Sequence, residues 1–120
     1  MDKAQTYNEF WNSFDIPAYD ATSVPQDAPF PRITYTASLD NFENTLLMDA
    51  SVWYRETSWK RATEKVEEIG RTIDLMSPIP CDGGYVRIMR GNPFAQRMDD
   101  TDNMVRRYYI NVNVEFLTRF

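Results

Sequence analysis

The sequence predicts an α+β fold in one domain, with two helices packed on one face of a mostly antiparallel four-stranded sheet. Two segments carry apolar residues at helical spacing, and four segments alternate between apolar and polar residues as strands do. Each helical segment has a single apolar stripe, so one face of one sheet is enough to bury both helices. At 120 residues the chain is long enough for one modest core. The predicted order of elements is α-β-β-α-β-β.

The first predicted element is a short amphipathic helix within residues 1–15. Four aromatic residues fall on one stripe of this segment, namely Tyr7, Phe10, Trp11 and Phe14. An isolated helix of this length is marginal in water, so the stripe is expected to dock on the sheet. Pro17 ends the helix and opens a proline-rich segment, residues 16–31. Proline restricts its own backbone and that of its predecessor, which predicts a stiff, extended connector to the main body, residues 32–120.

Residues 32–38 and 46–56 are predicted to form an antiparallel hairpin, because both alternate and a short polar tip, LDNFENT, joins them. Leu47 and Trp53 fall on the row that is otherwise polar. Two interpretations of this pair stay open: a loop of the same chain covers it, or it belongs to a subunit interface.

The main helix is predicted to begin after Thr57 or Ser58, either of which can cap it, and to end near residue 74. Its apolar seam predicts packing against a sheet or a partner helix, and Gly70 within it favours close backbone packing. Proline and glycine then indicate a turn, followed by a third strand at residues 85–90. Residues 91–103 are predicted to be a long loop, and a loop of this length is more often functional or ordered by a partner than idle.

The last segment, residues 104–120, has the clearest strand pattern in the chain. Its apolar row, from Tyr108 to Phe116, alternates with a polar row that includes Asn111, Asn113 and Glu115. We expect an inner strand whose apolar row supports both helices. We expect its polar row to face a neighbouring subunit or a water-filled lumen.

The sequence shows no signature of catalysis, of a cofactor or of a metal site. Histidine is absent, which removes the commonest general base and metal ligand. Asp99, Asp100 and Asp102 suggest calcium, but an EF-hand loop starting at Asp100 would need glycine and glutamate where the chain has Val105 and Asn111. The single cysteine, Cys81, excludes an internal disulfide. With no membrane-spanning run and no signal peptide pattern, the protein is expected in the cytoplasm of the cell that makes it.

Charge is distributed unevenly along the chain. Residues 1–58 hold 3 Lys/Arg and 9 Asp/Glu (net −6), while residues 59–120 hold 10 and 9 (net +1). This balance argues against a general nucleic-acid clamp, which needs a basic stripe. Five arginines of the second half would form a basic patch if the last two strands are neighbours: Arg87, Arg90, Arg97, Arg106 and Arg107. They are either scattered surface charge or one half of a complementary contact between subunits, such as a head-to-tail ring requires.

The chain resembles the tail terminator proteins of long-tailed bacteriophages, a family also described as tail completion or minor capsid proteins. The resemblance rests on four stretches that run through nearly the whole chain in order: YNEFWNSFDIPAY, FPRITY, WYRETSWKRATEKVEEIG and RRYYINVNVEFLTRF. It implies a structural protein of the virion, and not an enzyme, that forms a hexameric ring on the tail tube, stops tube polymerisation and joins the tail to the head.

The resemblance also implies the partners: other copies of the chain, the tail tube protein, and a head-completion protein, with DNA passing through the lumen without specific binding. The expected location is the head-proximal end of the tail, and the host cytoplasm during assembly. From loop length and charge, candidate contact residues are Asp40, Phe42, Glu43, Trp53, Arg90, Phe94, Arg97, Arg106 and Arg107. The alternatives are another head-tail connector or head-closure protein, or a small cytoplasmic enzyme or ligand-binding protein.

Overall fold

The computed structural model describes residues 1–37 and 46–118, and for residues 46 and 118 the backbone only. It contains two helices and a six-stranded mixed sheet. The elements in chain order are α1 (Lys3–Asn12), β1 (Ala18–Asp20), β2 (Arg32–Tyr35), β3 (Leu46–Arg55), α2 (Lys60–Leu75), β4 (Ile79–Cys81), β5 (Gly84–Met98) and β6 (Val105–Thr118).

The prediction of a four-stranded antiparallel sheet is therefore wrong. The strand order is β1-β2-β3-β6-β5-β4, and β1 pairs with β2 in parallel while the other pairs are antiparallel. Two short strands were missed: β1 lies inside the proline-rich connector, and β4 lies inside the predicted turn. Each has three residues and lies next to or contains a proline, so neither shows a countable alternation.

The predicted loop at residues 91–103 is also wrong, because β5 continues to Met98 and pairs with β6 on both sides of an interruption. The sequence Gly91-Asn92-Pro93 marks a bulge in this strand: the register jumps so that Arg90 pairs with Val112 and Ala95 with Ile110. A Cβ on Gly91 would lie 2.8 Å from the Cβ of Asn111, so the bulge requires glycine. The prolonged β5–β6 hairpin makes the molecule elongated, with extents of 50 × 28 × 22 Å.

The expectation that β6 is an inner strand with one buried row is confirmed. It lies between β3 and β5, and Ile110, Val112 and Val114 on its apolar row are fully buried. Aromatic residues of α1 and the seam of α2 belong to the same core cluster as this row. Gly70 is closely packed, but by a side chain: the ring of Phe94 from the β5 bulge lies 3.2 Å from where a Cβ would be.

The sheet curves around its helices into a half-barrel, and α1 bridges the two ends of that curve. At one end, the Asn12 side chain accepts a hydrogen bond from the backbone N–H of Ala18 on β1 and donates to its carbonyl, at 3.0 and 3.3 Å. At the other end, the Met1 carbonyl accepts from the backbone N–H of Asp82, next to β4, at 2.8 Å. A ten-residue helix spans only about 15 Å, whereas six flat strands spread over roughly 24 Å, so the sheet has to curl.

The predicted hairpin is formed by β2 and β3, with Arg32 opposite Trp53 and Tyr35 opposite Ala50. Its first strand is shorter than expected, ending at Tyr35. The tip that joins the strands lies outside the described residues, and with it the candidate residues Asp40, Phe42 and Glu43.

Candidate interaction surfaces

The side of the sheet that faces away from the helices is a second surface with a distinct chemistry. It is formed by the odd-numbered positions of β3 and β6 together with the residues of β2 and β5 that pair with them, and we call it the outer sheet face. No other element of the described chain forms a layer over it. Its β6 row is half-buried from Arg107 to Glu115, whereas the opposite row of the same strand is buried.

Trp53 stands at the centre of a row of stacked side chains on this face. In the register of the sheet, Trp53 on β3 lies between Arg32 on β2 and Arg107 on β6. The guanidinium carbons of Arg32 and Arg107 lie 5.6 and 4.5 Å from its ring centre, and Arg32 also stacks on Phe30 at 4.2 Å. These are cation–π distances, so the indole holds two positive charges in place on the sheet surface.

Hydrogen bonds to neutral groups fix the orientation of this stack. The Trp53 indole N–H donates to the Thr34 hydroxyl at 2.9 Å, and Nε of Arg107 donates to the hydroxyl of the buried Ser51 at 3.0 Å. Arg32 donates from Nη1 to the carbonyl of Ala28, while its Nε is buried without a partner among the described residues. Neither arginine has an ion pair in the described part of the chain.

A second polar contact lies one row further along the sheet. The Tyr109 hydroxyl donates to Asp49 at 2.9 Å, and the same carboxylate is in contact with the Thr36 hydroxyl at 3.2 Å. The hydrogen bond to the carboxylate raises the pKa of Tyr109, because it stabilises the phenol. Asp49 is thus hydrogen-bonded to two hydroxyl groups of the same face.

Apolar side chains are exposed on the same face. Leu47 on β3 is 81% exposed, and Tyr85 and Leu117 are each 37% exposed. Met89 and Met98 belong to this face by their register with Asn113 and Arg107. Tryptophan, tyrosine, methionine and arginine are the residues most enriched in protein–protein interfaces, so the composition of the outer sheet face is that of an interface.

A different aromatic cluster surrounds Trp59, on the helix side of the sheet at the start of α2. The guanidinium carbons of Arg97 and Arg106 lie 4.5 and 5.6 Å from its ring centre, and the Tyr108 ring packs edge-on at 5.4 Å. Arg106 donates to the carbonyls of Thr57 and Asn103 at 2.8 to 3.2 Å. It therefore ties the end of the β5–β6 hairpin to the segment that leads into α2.

A third group of interacting side chains lies at the C-terminal half of α2. Arg90 forms an ion pair with Asp74 at 2.9 Å and stacks on Phe94, whose ring lies over Gly70. Two clefts of about 250 and 260 Å³ flank this pair. Both are smaller than the roughly 300 to 1,000 Å³ of typical ligand sites.

The predicted basic patch is thus divided among three places. Arg107 lies on the outer sheet face beside Trp53, and Arg87 lies on the same face, opposite Glu115. Arg97 and Arg106 flank Trp59, and Arg90 lies against α2 together with Phe94. Sequence reasoning missed Arg32, which is part of the stack around Trp53. The available signal was the alternation of β2, which places Arg32 and Thr34 on the same side as Trp53 once the hairpin is assumed.

Within residues 1–37 and 46–118, no group of three or more carboxylate, cysteine or histidine residues is arranged to hold a metal ion. In the acidic turn, Asp102 instead accepts a hydrogen bond from the backbone N–H of Met104, which lowers the pKa of its carboxyl group, and pairs with Arg55 at 3.2 Å. Neither helix of the described chain is long and apolar enough to cross a membrane.

A comparison of the chain with models of known families found no match, and neither did a comparison with curated proteins.

Proposed function

We propose that this protein is a structural component of a virion that works by assembling with copies of itself and with other proteins, as the tail terminators it resembles do. In this proposal it forms a ring on the last ring of the tail tube, stops tube growth and offers a surface to the head-completion protein. DNA passes through the lumen without specific binding, and assembly takes place in the host cytoplasm.

The observation that carries the proposal is the outer sheet face. It is the uncovered side of β2, β3, β6 and β5 in the described chain, it is built from residue types typical of interfaces, and it has an 81% exposed leucine on the same strand as a tryptophan that stacks between two arginines. A leucine this exposed contributes little to the fold, whereas burying its side chain against a partner stabilises a complex by about 1.5 to 3 kcal/mol.

The experiment compares Leu47→Glu with Leu75→Glu, a matched control. Leu75 is 85% exposed but lies at the end of α2, away from the outer sheet face. The mass of each protein is measured by light scattering after gel filtration, alone and with the tail tube protein of the same virus, and tube lengths are measured in negative-stain images.

We expect the unmodified protein and Leu75→Glu to form rings or to cap tubes at a defined length. Leu47→Glu should stay monomeric and leave tubes uncapped. An unmodified protein that remains monomeric in both settings, with tube lengths unchanged, would refute the proposed function.

A further inference from the structure

We propose that the end of β5 nearest its turn with β6 accepts an extended segment of a different protein, which adds to the sheet as a further strand. We call this stretch, residues 95–98, the open edge. The inference rests on the proposed function, because it specifies how the ring contacts a protein other than itself. It depends on which backbone groups of the sheet have hydrogen-bond partners.

The two outermost strands of the sheet have closed edges. On β1, the Asn12 side chain binds both the backbone N–H and the carbonyl of Ala18. The carbonyl of Asp20, at the end of the same strand, accepts from the backbone N–H of Ser23 at 2.9 Å. The middle residue of β4 is Pro80, which has no N–H. Proteins use such devices to keep the edges of their sheets from pairing with other chains.

The far end of β5 has no such protection. β4 pairs with β5 only at residues 84–86, so the rest of that side of β5 pairs with no strand of the described chain. The stretch before the bulge is covered by its own chain, because Ile88 is 4% exposed and lines a cleft together with residues 76–78. After the bulge, residues 95–98 are exposed or half-buried. The open edge is therefore within reach of another chain.

The hydrogen-bonding pattern of the sheet determines which groups of the open edge point outward. The residue after β2 donates its backbone N–H to the Asp49 carbonyl at 2.9 Å, so the odd-numbered residues of β3 bond toward β2. Direction alternates along antiparallel strands, so the even-numbered residues of β3 and β6 bond to each other, and the odd-numbered residues of β6 bond to β5. Gln96, opposite Tyr109, is thus bonded to β6. The N–H and carbonyl groups of Ala95 and Arg97 point away from β6, and no backbone group of the described chain bonds to them.

An extended chain has the geometry that these groups require. Residues two apart in a strand lie roughly 7 Å apart and point their N–H and carbonyl groups the same way, so one added strand bonds Ala95 and Arg97 together. The Arg97 side chain is held on Trp59 and Tyr108, which fixes the strand before a partner arrives. Strand addition to an exposed edge draws its affinity from such main-chain hydrogen bonds.

A second copy of the protein does not suit this position. The outermost strands β1 and β4 have closed edges, so a second copy would have to offer its own open edge, in an antiparallel pair with a two-fold axis at Gln96. A two-fold contact closes at two copies, whereas the members of a ring are joined head to tail. The open edge is therefore left for an extended segment of a different protein.

The test compares Ala95→Pro with Ala95→Ser. Proline removes one outward N–H but none of the bonds to β6, which Gln96 and Met98 make, and serine keeps the N–H at the same position. Circular dichroism and thermal unfolding establish that each protein is folded. Binding to tube ends and to the head-completion protein of the same virus is then measured, and light scattering follows the assembly of each variant with its own copies.

We expect Ala95→Pro to bind one of these two proteins about tenfold more weakly than Ala95→Ser, because an acceptor of the partner is left without its hydrogen bond. Assembly with its own copies should be the same for both variants. In the unmodified protein, hydrogen exchange resolved to single amides should show Ala95 and Arg97 exchanging freely in the ring and about tenfold more slowly in the complex. The amides of Gln96 and Met98 should be protected in both.

Three outcomes overturn the inference while the proposed function stands. If both variants bind equally tightly, or if the amides of Ala95 and Arg97 exchange in every complex as they do in the ring, no strand is added at the open edge. If these amides are already protected in the ring alone, the occupant is a second copy. An unmodified protein that neither forms rings nor caps tubes would show that the proposed function is wrong, and this inference with it.

Discussion

The two faces of the sheet use the same strands for different purposes. On the helix side, β6 contributes fully buried aliphatic residues such as Val112, and α1 adds Trp11, which is 0% exposed and stacked on Tyr35. On the outer side, the same strand contributes half-buried polar residues that are stacked or hydrogen-bonded. Burial on one side stabilises the monomer, whereas the other side retains side chains that a partner can still cover.

The largest effect on stability is expected from Trp11→Ala on the helix side. The indole is fully buried among Tyr7, Phe10, Phe14 and Tyr35, so its removal should lower the free energy of unfolding by about 3 to 5 kcal/mol. Urea unfolding followed by circular dichroism measures the change. A loss under about 1 kcal/mol would mean that α1 is not part of the core.

A smaller loss is expected from Gly91→Ala in the β5 bulge. The new Cβ would lie 2.8 Å from the Cβ and 2.9 Å from the carbonyl oxygen of Asn111, so backbone has to move, at a cost of about 1 to 3 kcal/mol. The neighbouring Asn92→Ala, an exposed position, is the control. Equal urea midpoints for the two variants would contradict the register of β5 on β6.

Trp53→Ala distinguishes most clearly between the role of the outer sheet face in assembly and the role of the helix side in stability. Because the indole is only half-buried, the monomer should lose only the two cation–π contacts, about 0.5 to 1 kcal/mol each, and the hydrogen bond to Thr34. Assembly of the protein with its own copies should be abolished. Trp59→Ala, which removes a tryptophan of similar burial on the helix side, should still assemble. Gel filtration with light scattering measures both masses, and assembly by Trp53→Ala but not by Trp59→Ala would mean that the helix side forms the contact.

The smallest effect concerns Asp102, which holds the turn between β5 and β6. The backbone N–H of Met104 and the Arg55 side chain lower the pKa of this carboxyl from its ordinary value near 3.8. A depressed pKa stabilises the fold above the unfolded value, and that contribution disappears as the pH falls through the folded value. Between pH 7 and pH 3 the melting temperature of the unmodified protein should therefore fall slightly more than that of Asp102→Asn. If the melting temperatures of the two proteins fall in parallel with pH, the Asp102 carboxylate contributes nothing to the stability of the fold.

The parts of the fold that sequence predicts well are those with a repeated pattern. The alternation of Tyr108 to Phe116 and the seam of α2 identify the buried strand and helix, because apolar residues that recur at the period of a strand or a helix all face the core. The three-residue strands β1 and β4 are too short to show a period. Gly91-Asn92-Pro93 has the composition of a loop, and only the paired strand shows that these residues form a bulge.

For a similar reason, the sequence is enough to place some candidate residues on the correct face of the sheet but not others. The position of Trp53 on the outer side follows from counting alternate residues along β3. The separation of Arg107 from Arg97 and Arg106 depends on register and on the bulge, which shifts the face of β5 between Arg90 and Ala95. Arg32 acquires its role only when β2 lies beside β3, since its contact with Trp53 crosses two strands.

The outer sheet face should be covered in the assembled protein, and oxidative footprinting measures this coverage side chain by side chain. Hydroxyl radicals label exposed side chains, and mass spectrometry then compares Leu47 and Trp53 with Leu75 and Trp59 in the monomer and in the assembly. We expect strong protection of Leu47 and Trp53 on assembly, with Leu75 and Trp59 labelled as before. Equal labelling of Leu47 and Trp53 in both states would mean that the outer sheet face stays uncovered on assembly.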